Sequence, residues 1–160
     1  VFVLPSLIKA EQASVVSKIE QVKGFTMTLL DKNGKAKALI SGSMSEILPN
    51  GNIKILDAAA RVFNIGESTL IHSSEAVYDR KDNIIHTERF VRIDRRDMVI
   101  TGTGLRWEPD NAWIQLYKDV KLEYSNKRRE NSIPGAEAPG IIVTSEGRCR
   151  LNYNGPSIAV

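Results

Sequence analysis

The 160-residue chain holds one cysteine, Cys149, and two histidines, His72 and His86. A single cysteine excludes an intrachain disulfide framework and any Cys-based zinc cluster. The two histidines lie far apart in sequence, and a metal would need more ligands than they supply. No metal or other cofactor is expected. Long apolar runs are missing as well, which rules out a multi-span membrane protein. Glycine-rich phosphate loops are absent. Gly102-Thr103-Gly104 lacks a third glycine and a following helix, and reads as a close-packed strand or bulge. Ser68, Ser73 and Ser74 lie near His72, but no nucleophile elbow surrounds them. Asp79, Asp82, Asp94, Asp97, Glu108 and Asp110 fall mostly in turn-like stretches, where aspartate serves backbone geometry. The basic clusters Arg95-Arg96 and Lys127-Arg128-Arg129 lack interleaved aromatics, so nucleic acid is not an expected partner. No catalytic site emerges, and a non-enzymatic protein is expected.

What is present is ordinary globular material. Hydrophobic residues make up 42% and charged residues 26%, with a net charge of +3. That balance excludes wholesale disorder and suits an anionic partner. The length suits one domain. Residues 1–8 are apolar and residues 9–11 turn polar, which reads as the remnant of a secretory signal or membrane anchor over residues 1–10. Val15, Ile19 and Val22 recur at helical spacing, and Gly24 is placed to end a short helix or linker over residues 11–23.

From Phe25 onward the period falls to two. Phe25, Met27 and Leu29 alternate with Thr26 and Thr28. Asn33-Gly34 and Asn50-Gly51 mark hairpins, and further turns fall at residues 64–66, 79–83, 94–97 and 109–111. The pattern also repeats. A shift of 29 residues lays Tyr78-Asp79 on Trp107-Glu108, Ile85 on Ile114, and Val91-Arg92-Ile93 on Val120-Lys121-Leu122. One face therefore carries Ala76, Tyr78, Ile85, Val91 and Ile93, then Leu105, Trp107, Ile114, Leu116, Val120 and Leu122. The other carries His86, Glu88, Arg92, Gln115 and Lys121. Residues 125–140 are polar, with two prolines and two glycines, and read as a loop insert. The repeat resumes at Ile141, and its last unit is incomplete. A two-faced sheet of this kind, folded over itself, makes an apolar trough.

These residues resemble a known family. The stretch from Gly24 to Lys35, GFTMTLLDKNGK, resembles the first strand and turn of LptC-like lipopolysaccharide-export proteins. Residues 74–79, 91–93, 100–108 and 120–122 resemble the repeats of the wider OstA-like group, which includes LptA. The resemblance implies an all-β, open, twisted antiparallel β-jellyroll over residues 24–160. It implies a periplasmic protein that shields lipopolysaccharide (lipid A) acyl chains and passes them from an inner-membrane ABC exporter toward the outer membrane. It further implies an anchor upstream of Val1, related bridge domains joined by edge-strand addition, and head-to-tail self-association. On this reading the lipid groove is lined from β-strand to β-strand by Phe25, Met27 and Leu29; by Ile40, Ile53, Ile55 and Val62; by Ala76, Tyr78, Ile85, Val91 and Ile93; and by Leu105, Trp107, Ile114, Leu116, Val120 and Leu122. The competing reading is a structural or carbohydrate-binding β-solenoid of the cell envelope, which a short β repeat also allows.

Overall fold

The computed structural model describes residues 21–63, 68–124, 142–145, 149–152 and 158–159. They form β1 (Gln21–Leu30), β2 (Ala36–Ile47), β3 (Ile53–Phe63), β4 (Ser68–Asp79), β5 (Ile84–Arg95), β6 (Met98–Glu108), β7 (Trp113–Tyr124), β8 (Ile142–Ser145), β9 (Cys149–Asn152) and β10 (Ile158–Ala159). All join one sheet in the order β1-β2-β3-β4-β5-β6-β7-β9-β10, with β8 also on β7. Every neighbouring pair is antiparallel. The period-two pattern predicts an all-β chain, and the open antiparallel sheet matches the jellyroll that the family resemblance implies. The parallel coils of a solenoid are not what these residues build.

Two differences from the sequence reading stand out. Most of the helix expected over residues 11–23 lies outside the described residues, but Gln21, Val22 and Lys23 open β1 and pair with Glu46, Ser45 and Met44. Gly24 does not end a helix; it sits inside β1 with φ of 66°. The signal or anchor segment at residues 1–10, the turn at 64–66 and the insert at 125–140 lie outside the described residues.

The hairpins follow turn chemistry. At the β1–β2 turn Gly34 N–H donates to the Asp31 carbonyl and Asp31 N–H to the Lys35 carbonyl, each at 2.9 Å. Gly34 supplies the left-handed backbone, at φ 77°. The Asp31 carboxylate receives the Asn33 and Lys35 N–H groups at 2.9 Å. Asn50-Gly51 repeats the design between β2 and β3. The 29-residue repeat is visible in the backbone. Asn83 and Ala112, 29 apart, both adopt positive φ, 53° and 56°, at the ends of the β4–β5 and β6–β7 turns.

A line of irregularities crosses the strands near their middles. Ladder pairing lapses between Ser41 and Met44 of β2 and between Leu56 and Ala59 of β3. Register shifts occur between Ser73 and Val77 of β4, Thr87 and Phe90 of β5, and Thr101 and Thr103 of β6. Asp57, Gly104 and Asp119 take positive φ along the same line. Bulges bend strands. A row of them folds the whole sheet across its strands, so that one half of the inner face lies over the other.

The burial pattern requires that fold. Val62, Val91 and Ile93 have no exposed surface, and Trp107, Ile100 and Ile114 have 1%. A single sheet reaches such values only by covering its own face. Phe63 and Phe90 stay exposed on the outside, and Tyr124 is exposed at the end of β7 on the inner-face side, opposite Met98. At the far edge β8 and β9 divide β7 between them. Ser145 opposes Val120 and Cys149 opposes Leu116, which is one register carried along the whole strand.

Candidate functional site: an apolar trough inside the folded sheet

Alternation sends every second side chain of a strand to one face. The structure places all of the proposed groove residues on that inner face. Leu29, Ile40, Ile55, Val62, Ala76, Ile85, Val91, Ile93, Leu105, Trp107, Ile114, Leu116 and Val120 are buried in one cluster. Phe25, Met27, Ile53, Tyr78 and Leu122 are half-buried and pack against it. His86, Glu88, Arg92 and Lys121 are exposed on the opposite face, and Gln115 is half-exposed there.

The sequence reading missed other inner residues: Ala38, Ala58, Ala60, Ile71, Met98, Ile100 and Leu151. The bulges explain several of these omissions. In β3 the inward positions run 53 and 55, then 58, 60 and 62, because Asp57 at φ 48° changes the parity. In β6 they run 98 and 100, then 105 and 107, on either side of Gly102 and Gly104. In β4 Thr69 and Ile71 precede the shift, and Ala76 follows it. The glycines at 102 and 104, and those near 42, were the available signal. A Cβ on Gly104 would meet the Tyr117 ring at 3.0 Å, and one on Gly42 would meet the Leu56 carbonyl at 2.7 Å.

Inside the fold lies a small apolar cavity of about 30 Å³. Its walls include Ile40, Ile55, Ala58, Ala60, Ile71 and Trp107. Ser73 and Thr87 are the hydroxyl residues on it. Both hydroxyls serve the bulges. Ser73 Oγ donates to the Glu75 and Phe90 carbonyls at 3.0 Å, and Thr87 Oγ1 accepts from Arg89 N–H at 3.0 Å. At about 30 Å³ the closed cavity is far smaller than ordinary small-molecule sites, which run about 300–1,000 Å³.

Charge is confined to the outside. Among the described residues, the buried polar side chains are Ser45, Thr69 and Thr87. Same-strand ion pairs decorate the outer face: Arg92–Asp94 at 2.6 Å, Arg106–Glu108 at 2.8 Å and Lys121–Glu123 at 2.6 Å. Hydrogen bonds from Arg106 and Asn111 hold Glu108 below the ordinary carboxylate range. Inside, burial raises the Tyr78 phenol, and burial likewise raises the Cys149 thiol. Among the described residues the interior carries no buried charged side chain, which favours apolar contents.

No match to the chain was found among curated proteins. A family model, lipopolysaccharide-assembly, LptC-related, matches residues 37–125. That span covers more than half of the chain. It runs from β2 through the end of β7 and so includes the fold line, the cavity and most of the inner face. The sheet architecture, the apolar interior and the family match agree: the chain belongs to the LptC-related family of lipopolysaccharide-assembly proteins, and its role is in lipopolysaccharide transport and assembly.

Proposed function

We propose that the folded sheet is a non-enzymatic, periplasmic carrier that holds the acyl chains of lipopolysaccharide in its trough. It takes them from an inner-membrane ABC exporter and passes them on toward the outer membrane. The observation that carries this reading is the continuous apolar inner face, buried across β1 to β7 and surrounding an apolar cavity. Burying hydrocarbon is worth about 0.8 kcal/mol per methylene, so a shielded acyl chain gains several kcal/mol without any covalent chemistry. Drive comes from the exporter. Neighbouring bridge domains add to the free edge of the sheet by strand pairing.

Matched aromatic positions test this. Benzoylphenylalanine replaces Phe25 or Tyr78 on the inner face, and Phe63 or Phe90 on the outer face, and cells are irradiated. Lipopolysaccharide adducts are expected from Phe25 and Tyr78 only. Equal capture from Phe63 or Phe90, or none from the inner pair, overturns the reading.

A further inference from the structure

A flat sheet would keep the β1–β2 turn far from the β4–β5 and β6–β7 turns. The strands are antiparallel, so these turns lie at opposite strand ends, and a 12-residue strand spans roughly 40 Å. In the folded sheet they touch. Lys32 N–H donates to Asp110 Oδ1 at 2.9 Å, across 78 residues of sequence. Asn83 Nδ2 donates to the Leu30 carbonyl at 3.2 Å and to Asp110 Oδ2 at 3.3 Å. Three turns are thus stitched together by two side chains, Asn83 and Asp110. The stitch lies where the two folded halves of the sheet meet at their rims.

The stitch also reaches the trough. Tyr78 packs against the core, and its hydroxyl donates to Asn83 Oδ1 at 3.1 Å. Asn83 therefore binds the trough wall and the opposing rim at once. Its left-handed backbone, at φ 53°, fixes the amide in that position. Everything in the contact is a hydrogen bond between exposed or half-exposed groups, with Leu30 pointing its side chain outward at 48% exposure. Such bonds are individually weak, but Leu29 beside them in β1 is 1% exposed, so opening the rim also uncovers apolar surface that an entering acyl chain covers again. Meanwhile the closed interior leaves a cavity of only about 30 Å³, far below ordinary ligand sites. A glycolipid with several acyl chains does not fit the closed form.

We propose that the β1–β2 turn is a latch across the mouth of the trough. Asp110 and Asn83 are its catch, and acyl chains enter sideways when it opens. This deepens the carrier reading above and rests on it. Cargo pressing on Tyr78 disturbs the Tyr78–Asn83 bond, so filling the trough loosens the catch.

Three forms of the full chain test the latch. The first carries Lys32→Cys and Asp110→Cys, which lock the mouth when oxidised and free it when reduced. Cys149 is buried, and its thiol is kept protonated by that burial, so it stays out of this reaction. The second and third carry Asn83→Ala and Asp110→Ala. Spin labels at Lys35 and Lys81 report the width of the mouth, and benzoylphenylalanine at Phe25 reports capture of purified lipopolysaccharide. The oxidised pair is expected to capture at least about tenfold more slowly than the reduced pair. Asn83→Ala and Asp110→Ala are expected to lengthen the Lys35–Lys81 distance without lipid and to speed capture. Wild type is expected to lengthen that distance only when lipopolysaccharide is added. Capture at an unchanged rate by the oxidised pair overturns the latch and leaves the trough reading standing. An unchanged distance in both alanine variants also overturns it. Absence of capture by every form, reduced pair and wild type included, overturns the carrier reading itself, and with it any gating role for the contact.

Discussion

The early strands β2 to β4 and the later strands β5 to β7 carry the same alternating pattern but fill the interior differently. On β2 to β4 the inward residues include Ala38, Ala58, Ala60 and Ala76, and the last three line the cavity together with Ile85, Val91, Leu105 and Trp107 of β5 and β6. On β5 to β7 they include Ile93, Ile100, Ile114 and Leu116, which are packed to 2% exposure or less. Binary pattern sets which face is inward; side-chain volume decides whether the inward space is a core or a container. The larger side chains of β5 to β7 fill their space, while the alanines of β3 and β4 border the cavity. Trp107 stands at the boundary, 1% exposed and lining the cavity. It pairs with Ile85 on one side and Ile114 on the other.

Removing that boundary is the strongest test of the contrast. Trp107→Ala should destabilise the protein by about 3–5 kcal/mol, the range for deleting a large buried aromatic. Urea unfolding would measure it. Ile71→Ala, on the wall that already faces empty space, should cost less, because fewer packed neighbours lose contacts. Equal costs at the two positions would mean that the cavity does not divide the interior.

Next comes the fold line. A Cβ on Gly42 would lie 2.7 Å from the Leu56 carbonyl oxygen, with Ile55 closer still. One on Gly102 would lie 3.2 Å from the Lys118 carbonyl oxygen and 3.3 Å from Leu116. Gly42→Ala should therefore cost about 1–3 kcal/mol, as overpacking does, and Gly102→Ala should cost less. Calorimetric melting of the pair gives the ranking directly. The reverse ranking would place the tight crossing of the sheet on the packed side rather than the alanine side.

These glycines also mark where sequence reasoning stopped. Strict alternation identified Phe25 to Leu29 and Ile85 to Ile93 correctly as facing one way, because parity there survives the bend. It did not find Ala58, Ala60, Ile71, Met98 and Ile100. A bulge in β3, β4 and β6 moves the inward set by one residue, and nothing in the local pattern announces the shift except a glycine or an aspartate. The 29-residue repeat did find β5 and β7, since both keep their parity. The latch was invisible for a different reason. Lys32, Asn83 and Asp110 are turn residues with sound local roles, and only the folding of the sheet brings them together. Gln21 to Lys23 were misread as the end of a helix because three residues carry both periods equally well.

Filling the alanine side should separate stability from carriage. Ala60→Leu adds three carbons to the cavity wall. The change should cost about 1–3 kcal/mol, since three carbons exceed the free space of about 30 Å³. It should lower lipopolysaccharide capture by about tenfold or more, because each displaced methylene of cargo is worth about 0.8 kcal/mol. Benzophenone crosslinking from Phe25 reads the second effect, and urea unfolding the first. If the variant unfolds readily yet captures normally, the cavity is a packing feature and not a container.

Acid should loosen the mouth before it touches the packed side, and this is the smallest effect expected. Asp31 and Asp79 both sit at turns that meet across the trough. The Asp31 carboxyl is held below its ordinary 3.8 chiefly by the Lys35 N–H, with further help from Asn33 N–H and Lys37. The Asp79 carboxyl is held below 3.8 chiefly by the Asp82 N–H, then by Lys81 N–H. A carboxyl with a depressed folded pKa contributes stability that is present above its unfolded pKa. That contribution is lost as the pH falls through the folded pKa. Both turns should thus be unaffected from neutrality down to about pH 5 and should lose protection below about pH 4. Exchange measured by mass spectrometry, on samples pulse-labelled after equilibration at each pH, should show residues 31–35 and 80–83 opening there. Ile100, Ile114 and Leu116 sit among apolar neighbours, and their amides should stay protected. The double variant Asp31→Asn, Asp79→Asn keeps side-chain oxygens for the turn N–H groups while removing the titration. Its turns should therefore show a flat profile across the same range. A profile that still falls below about pH 4 would move the acid sensitivity from Asp31 and Asp79 to other carboxylates held below their ordinary values, Glu108 beside the β6–β7 turn or Glu123 on the outer face.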